Sequence, residues 1–265
     1  MALSFPHFNP ILIQIGPLKI YWYGLSYALG IILGWKYSLF LVKKYAPSLS
    51  KSYFDAFVIW AVMGVILGGR LGHIIFYQWD YYLAHPLEIF MTWKGGMSFH
   101  GGLLGVVIGA LIFCHKHKIN FFKFADVWTT VAPIGLGMGR IANFINGELY
   151  GTRTSLPWGI VFPRDHLHLL RHPSQLYEAI GEGLILGLLL RQAWKKDFFC
   201  TVPGRITGLF FLGYGIIRFF VEYVREPEIV YWFSHFYITQ GQILSIPLIC
   251  LGMYWIKPLR KIIDK

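Results

Sequence analysis

Arg140, Asn143, Asn146 and Glu148 stand together in the run Gly139–Gly151, where an apolar stretch closes on charged and amide side chains set between glycines. Arg140 carries a planar fork of donors that suits a phosphate, Asn143 and Asn146 add amide donors, and Glu148 can fix an arginine or a hydroxyl. The competing reading is a buried Arg–Glu pair that only orders the loop. A second group is Gly95-Gly96-Met97-Ser98-Phe99-His100-Gly101-Gly102, where glycines let a ligand or another backbone approach the His100 ring and Ser98 is placed to cap a helix start. The imidazole serves there either as a general base near neutral pH or as a core histidine bonded to a carbonyl. The third is Tyr214-Gly-Ile-Ile-Arg218-Phe-Phe-Val-Glu222-Tyr-Val-Arg225. Its i, i+4 spacing puts Tyr214, Arg218 and Glu222 on one helix face, with Arg225 one turn beyond.

The elements that must hold these groups are membrane helices. The chain is 55% hydrophobic, 18% aromatic and only 14% charged, with a mean hydropathy of +0.52. Windows of about twenty residues place apolar spans near 20–42, 55–77, 97–114, 125–142, 174–193, 205–222 and 239–256. This predicts an all-α integral membrane protein of seven transmembrane helices, 1–265 forming a single polytopic domain. The first span exceeds the length of a signal-peptide core, and no small-residue cleavage site follows a basic start, so it is expected to remain in the mature protein. Lys43, Lys44, Lys51, Lys116, Lys118, Lys123, Arg191, Lys195, Lys196, Arg205, Lys257, Arg260, Lys261 and Lys265 fall in one set of gaps. The other set holds only Lys19, Lys94, Arg153, Arg164, Arg171 and Arg225. The excess of Lys and Arg marks the first set as cytoplasmic, with the N-terminus outside and the C-terminus inside. The formal charge of +11 is therefore topology, and no nucleic-acid partner is expected.

The segment 146–173, rich in turn formers and containing the candidate strand Trp158–Phe162, reads as a small extracytoplasmic head. Gly30 and Gly34, Gly64 and Gly68, Gly101, Gly105 and Gly109, and Gly183 and Gly187 recur every fourth residue and are read as helix packing. Tyr and Trp at span ends, as in Tyr21-Trp22-Tyr23 and Tyr77 to Tyr82, suit an interfacial belt. Cys114, Cys200 and Cys250 lack metal-site spacing, and no disulfide framework is expected.

Ionisable residues within spans are costly unless paired or wetted, and they include Arg70, His73, His100, Asp126, Arg140, Glu178, Glu182, Arg218 and Glu222. Under the expected topology Arg70, His73, His100, Arg140, Glu148, Glu178, Glu222 and Arg225 gather toward the outer side, which suggests one polar cavity there. Asp126 falls at the inner end and reads as a cap or an interface anchor.

These stretches resemble the bacterial phosphatidylglycerol–prolipoprotein diacylglyceryl transferase family across nearly the whole chain. The signature GRxxNFxNxExxG is met in full by Gly139 to Gly151. Tyr23-Gly24, His100-Gly-Gly, the segment His172-Pro-Ser-Gln-Leu-Tyr-Glu178 and the YGxxRFxxE helix occur in family order. The chain departs from the pattern at Thr152, where many relatives carry arginine directly after the glycine, which leaves Arg153 without an assigned role. The resemblance implies a seven-helix membrane body with an extracytoplasmic head. It implies transfer of a diacylglyceryl group from phosphatidylglycerol to the lipobox cysteine of a prolipoprotein signal peptide, with glycerol 1-phosphate released. Tyr23, His100, Arg140, Asn143, Glu148, Gly151, Tyr214, Arg218, Glu222 and Arg225 are the essential or binding residues so implied, and no metal or organic cofactor is expected. That chemistry wants cations beside a phosphate gaining charge and a base for a thiol, which makes Arg140 and Arg218 the clamp and His100 the candidate base. Asn143 and Glu148 are expected to organise Arg140 and the lipid head group, and the head to guide the precursor. A lipid or anion transporter would spread polar positions over both leaflets, and another head-group enzyme would want paired acids for a metal or a nucleophilic His or Ser.

Overall fold

The structure is a computed structural model that describes residues 3–6, 8–9, 11–16, 18–227, 229–233 and 236–257. The basic residues Arg260, Lys261 and Lys265, expected on the cytoplasmic side, lie outside the described residues. In chain order the elements are β1 (Leu3–Ser4), β2 (Ile11–Ile15), β3 (Leu18–Tyr21), α1 (Trp22–Tyr45), α2 (Lys51–Tyr77) and α3 (Trp79–Ala84). Two 3-10 turns, Pro86–Phe90 and Thr92–Lys94, lead to α4 (Phe99–Lys116) and α5 (Phe121–Ile145). Next come β4 (Ile160–Val161), β5 (Leu170–Arg171), α6 (Ser174–Glu178), a π-helix (Ala179–Ile185) and α7 (Leu186–Ala193). The order closes with α8 (Asp197–Cys200), α9 (Arg205–Val221), β6 (Val230–Phe233), β7 (Phe236–Thr239) and α10 (Gln240–Ile256).

A helix lies over each of the seven apolar windows, and α1, α2 and α4 are long and apolar enough to cross a bilayer, with α10 a shorter apolar helix. Exposed Ile59, Leu67, Leu71 and Ile75 on α2, and Leu104, Ile108 and Ile112 on α4, present apolar faces that lipid would cover. The protein is mostly helical, but the all-α expectation misses three small sheets among the described residues. β2 pairs with β3 and β6 with β7 as antiparallel hairpins, and β1, β4 and β5 form a three-stranded sheet. Short two-stranded ribbons carry too little hydrophobic periodicity to be seen beside apolar helices.

The chain separates into two compact units, 39–124 and the remainder. In the first, α2 packs on α4 through glycines: a Cβ on Gly64 would stand 2.8 Å from the Gly105 backbone, and one on Gly72 2.6 Å from Gly101 Cα. The four-residue spacing is packing, because small residues let backbones approach where no hydrophobic drive operates. Ser98 caps α4 as expected, its hydroxyl accepting from the Gly101 N–H at 3.2 Å. Arg70, buried on α2, is used up by the connection between the two helices. Its guanidinium donates to the carbonyls of Ile89 (2.8 Å), Gly95 (2.6 Å), Gly96 (3.2 Å) and Glu88, and lies over the Tyr82 ring. Arg70 thus organises a loop, where the sequence placed it with the polar cavity.

In the other unit Asp126 anchors α9. Its carboxylate accepts from the N–H groups of Gly204 and Thr207, both at 2.8 Å, and from the Thr207 hydroxyl at 2.7 Å. It satisfies donors that the start of α9 leaves open, which is the cap expected of it. The head gathers a core of its own, with Phe5, Ile160 and Phe162 packed against Phe144 and Tyr150. Its strand is shorter than Trp158–Phe162, and it pairs in parallel with β1, Leu3 opposite Ile160. The head therefore draws on the N-terminal segment, a long-range pairing with no local signal.

Within the head the Arg171 guanidinium is gripped by Asp165 (2.8 and 3.0 Å) and Glu226 (2.7 Å) and lies over the Tyr150 ring. The hydrogen bond from Arg171 holds the Asp165 carboxyl down at about 2. Its contribution to stability is therefore complete above the ordinary aspartate value of about 3.9 and is lost as pH falls through the depressed value. Pepsin digestion is expected to leave the head intact at pH 4 and to cut it near pH 2, whereas Asp165→Asn is expected to be cut already at pH 4. Equal resistance of both proteins at pH 4 would show that the pair does not hold the head.

Candidate active site

Three helices of the larger unit meet where glycines replace side chains. A Cβ on Gly183 would stand 2.8 Å from Gly137 Cα of α5, and one on Gly181 2.7 Å from Ile217 Cγ2 of α9. Gly137 lies one turn before Arg140, and Ile217 directly precedes Arg218, so the close packing carries the charged residues to a common point. Glu178 is the centre of that point. Arg218 Nη1 donates to its Oε1, Arg225 Nη1 lies 3.0 Å from the same oxygen, and Arg140 Nε lies 2.8 Å from Oε2. Arg218 Nη2 also reaches Glu222 Oε2 at 2.9 Å, the i, i+4 contact expected on that face. Glu182 comes within 3.6 Å of Arg140 Nε.

Both Glu178 and Glu182 are fully buried, and the π-helix begins just after Glu178. A wider π turn departs from the 3.6-residue period and is frequent at functional sites. The Glu222 carboxyl occupies the space where a Cβ of Gly241 would stand, in the first turn of α10, whose amino end favours negative charge. Tyr214 stacks on Phe210 in the same helix, with ring centres 5.9 Å apart.

The signature loop is built beside this cluster. Gly147 and Leu149 both take positive φ, at 65° and 56°, which turns the chain back sharply. The Glu148 carboxylate accepts from Asn143 Nδ2 (2.9 Å), Asn146 Nδ2 (3.2 Å) and Arg164 Nη1 (3.2 Å). The expected Arg–Glu contact of the loop therefore involves Arg164, and Arg140 turns instead to Glu178 and Glu182. Gln175 donates to the Glu148 carbonyl at 2.6 Å and Ser174 to the Leu149 carbonyl at 3.0 Å. These two residues join the His172–Glu178 segment to the signature, a task their separate positions in the sequence do not announce.

Gly151 is wedged between chains. Its N–H donates to the His172 carbonyl at 2.8 Å, it bridges to Arg225, and an added Cβ would stand 2.8 Å from His172 Cβ. Its role here is to let strands approach. Arg153 bridges to Arg171 through the backbone. Arg225, Glu148, Arg164, Tyr150 and Glu226 line a cleft of about 310 Å³, so Arg225 belongs to both the cluster and the cleft. Tyr23, at the start of α1, pairs its hydroxyl with Tyr27 at 3.1 Å. His100 stands exposed on the first turn of α4, edge-on to Phe99.

The sequence placed Glu178 with the outer polar cavity but gave it no role, and it left Glu182 as a carboxylate within a span. The signal lay in their number: three buried acids, with Glu222, matched by three arginines of the same unit.

This arrangement can hold an anion against arginine within an apolar body, and comparison with known proteins decides the family. The family model described as prolipoprotein diacylglyceryl transferase matches residues 10–257. The chain belongs to this family. Phosphatidylglycerol–prolipoprotein diacylglyceryl transferase of Rickettsia rickettsii strain Sheila Smith is 48% identical over 96% of this chain and 98% of its own length. Those of Rickettsia felis and Rickettsia bellii strain OSU 85-389 are 47% identical, each over 96% of this chain and covering 98% and 96% of their own lengths. The matched span of the prolipoprotein diacylglyceryl transferase family takes in every element of the charged cluster, from α5 to α10. Family and helices together describe a multi-pass membrane protein.

Proposed function

We propose that this chain transfers the sn-1,2-diacylglyceryl group of phosphatidylglycerol to the thiol of a prolipoprotein's lipobox cysteine. The product is a thioether with release of sn-glycerol 1-phosphate, the first step of bacterial lipoprotein maturation. The observation that supports this most is the convergence of Arg140, Arg218 and Arg225 on buried carboxylates in an apolar, helical protein. The cysteine sulfur forms a bond to the terminal CH2 of the lipid glycerol, the C–O bond breaks, and its electron pair leaves with the phosphate. The phosphate gains a negative charge as it departs, so guanidinium donors aimed at it lower the barrier. Arg140 and Arg218 are proposed as this clamp. Asn143, Glu148, Gly151, Tyr23, Tyr214, Glu222 and Arg225 are proposed to shape the lipid head-group site, Glu148 through the loop it ties together. The thiol proton must go to a base, and His100 is proposed for it. His100→Gln is then expected to lose rate at neutral pH and to recover it relative to wild type as the pH is raised toward the thiol range of about 8.5. Parallel pH profiles would remove His100 from the role of base.

The proposed setting is the bacterial inner membrane, with all seven helices spanning, the N-terminus and the 146–173 head outside and the C-terminus in the cytoplasm, in one polytopic body. The head is proposed to guide the precursor, itself a membrane helix. Deleting Thr154 to Arg164 would also remove Ile160 and Phe162 from the head core, so point changes test the idea more cleanly. Leu156 and Leu167 are exposed there. Changing both to Ser is expected to raise KM for a lipobox peptide roughly fivefold and to leave KM for phosphatidylglycerol unchanged, from about 1 kcal/mol of lost apolar contact. Equal rises in both constants would count against a guiding head.

The test of the activity is incubation of the purified protein in phosphatidylglycerol micelles with a lipobox peptide, followed by mass spectrometry. A diacylglyceryl mass gain on cysteine, absent from the Cys→Ser peptide and accompanied by glycerol phosphate, is the expected result. A folded, lipid-binding preparation that yields no adduct would overturn the assignment and turn attention to transport.

A further inference from the structure

We infer that Glu178 is a positioning residue that holds the three arginines apart and in register for the lipid phosphate and then lets the product leave. The inference rests on the proposed transferase reading and deepens it. Burial orders the cluster. The Glu178 and Glu182 side chains are 0% exposed, whereas those of Arg140, Arg218 and Arg225 are 18%, 15% and 9% exposed. The carboxylates are thus the more deeply buried partners and the guanidiniums the more accessible ones, with Arg225 at the edge of the cleft, so of the cluster's groups an incoming phosphate meets arginine before Glu178.

Three guanidinium groups this close repel one another strongly where water is scarce, Arg140 from α5 and Arg218 and Arg225 from α9 and the turn after it, so the helix packing that brings them together needs a shared anion to offset the repulsion. Glu178 is that anion, since it touches all three, while among the described residues Glu222 pairs with Arg218 and Glu182 approaches Arg140. The contact with Arg140 differs in kind from the hydrogen bonds that Arg218 and Arg225 make to Oε1. Arg140 Nε approaches Oε2 at 2.8 Å without the alignment of a hydrogen bond, and among the described residues that oxygen accepts none. Arg140 is placed by charge and keeps its hydrogen-bonding capacity for a ligand.

A resident carboxylate also weakens the hold of the same arginines on any other anion. Glycerol phosphate carries one more negative charge than the lipid from which it is cut, so a bare arginine trio would bind this product most tightly of all. Tight binding of product or ground state does not accelerate the reaction. Glu178 trades phosphate affinity for orientation and release.

Glu178→Gln keeps the shape and removes the charge. It is expected to lower kcat at least tenfold while KM for phosphatidylglycerol falls, and to bind glycerol 1-phosphate at least fivefold tighter by calorimetry. A carboxylate that merely supported the fold would lose active protein at constant KM and constant product affinity, and that result would overturn the inference, as would wild-type kcat. Should Glu178→Gln fail to fold, Glu178→Asp keeps the charge but draws it back by one methylene. It is expected to lose at least tenfold in kcat with glycerol 1-phosphate affinity within twofold of wild type, and an unchanged kcat would overturn the positioning role. The calorimetric arm needs no turnover. Tighter glycerol 1-phosphate binding in Glu178→Gln, beside a wild type that makes no lipid adduct, would sustain the anion clamp and remove the transferase reading alone.

Discussion

Arg218→Ala is expected to slow diacylglyceryl transfer roughly thirty- to a thousandfold. The proposed contact is a charge-assisted donor to an oxygen that gains charge in the transition state, and loss of one such donor costs about 2–4 kcal/mol of barrier. Arg140→Ala is expected to fall in the same range, and the two differ in what else they disturb. Arg218 is bound to both Glu178 and Glu222, so its removal also leaves buried carboxylates short of a partner, which costs on the order of 3 kcal/mol of stability. Arg140 meets Glu178 and Glu182 by charge alone, whereas Arg218 also donates a hydrogen bond to Glu178, so Arg140→Ala is expected to keep more of the fold while losing the rate. Initial rates of adduct formation, normalised to folded protein, separate the two effects. Wild-type rates in both folded variants would show that the clamp lies elsewhere. Lysine is not expected to rescue either position, because an ammonium cannot reproduce the planar fork that spans two acceptors.

Arg70→Leu is expected to destabilise the unit 39–124 by about 3 kcal/mol or more while touching no proposed substrate group. The guanidinium satisfies carbonyls of Glu88, Ile89, Gly95 and Gly96, and four part-buried hydrogen bonds lost at about 1 kcal/mol each amount to this cost. The segment between α3 and α4 would lose what closes it, and with it the fixed start of the helix that carries His100. A lowered thermal midpoint in micelles, with new protease cleavage between Pro86 and Gly96, is the expected observation. A midpoint within a degree or two of wild type would show that these carbonyls find other donors. The comparison with Arg218→Ala is instructive, since both arginines look alike as intramembrane charges. One is surrounded by main-chain oxygens and serves the fold, and the other is held by buried carboxylates and is the one proposed to serve a ligand.

Much of this protein was legible in the chain itself. Hydropathy alone placed helical structure over each of the seven windows, because a sustained apolar run leaves a strong, local signal, and α1, α2 and α4 are long and apolar enough to cross a bilayer. Local spacing also determined that Arg218 and Glu222 share a face, that Ser98 caps α4, and that the paired glycines of α2 and α4 serve contact between helices, since each depends on residues a turn or so apart. The signature and its companion motifs carried the family. Tertiary structure decided the rest. Arg140 chooses Glu178 over Glu148, Gln175 and Ser174 fasten the signature loop, and Phe5 joins the head core, all through contacts between residues distant in sequence. No periodicity records such pairs, because a buried charge selects its partner by three-dimensional proximity. The same reason separates Arg70 from Arg140, for the residue type announces that a cation must be satisfied and only the fold decides by what.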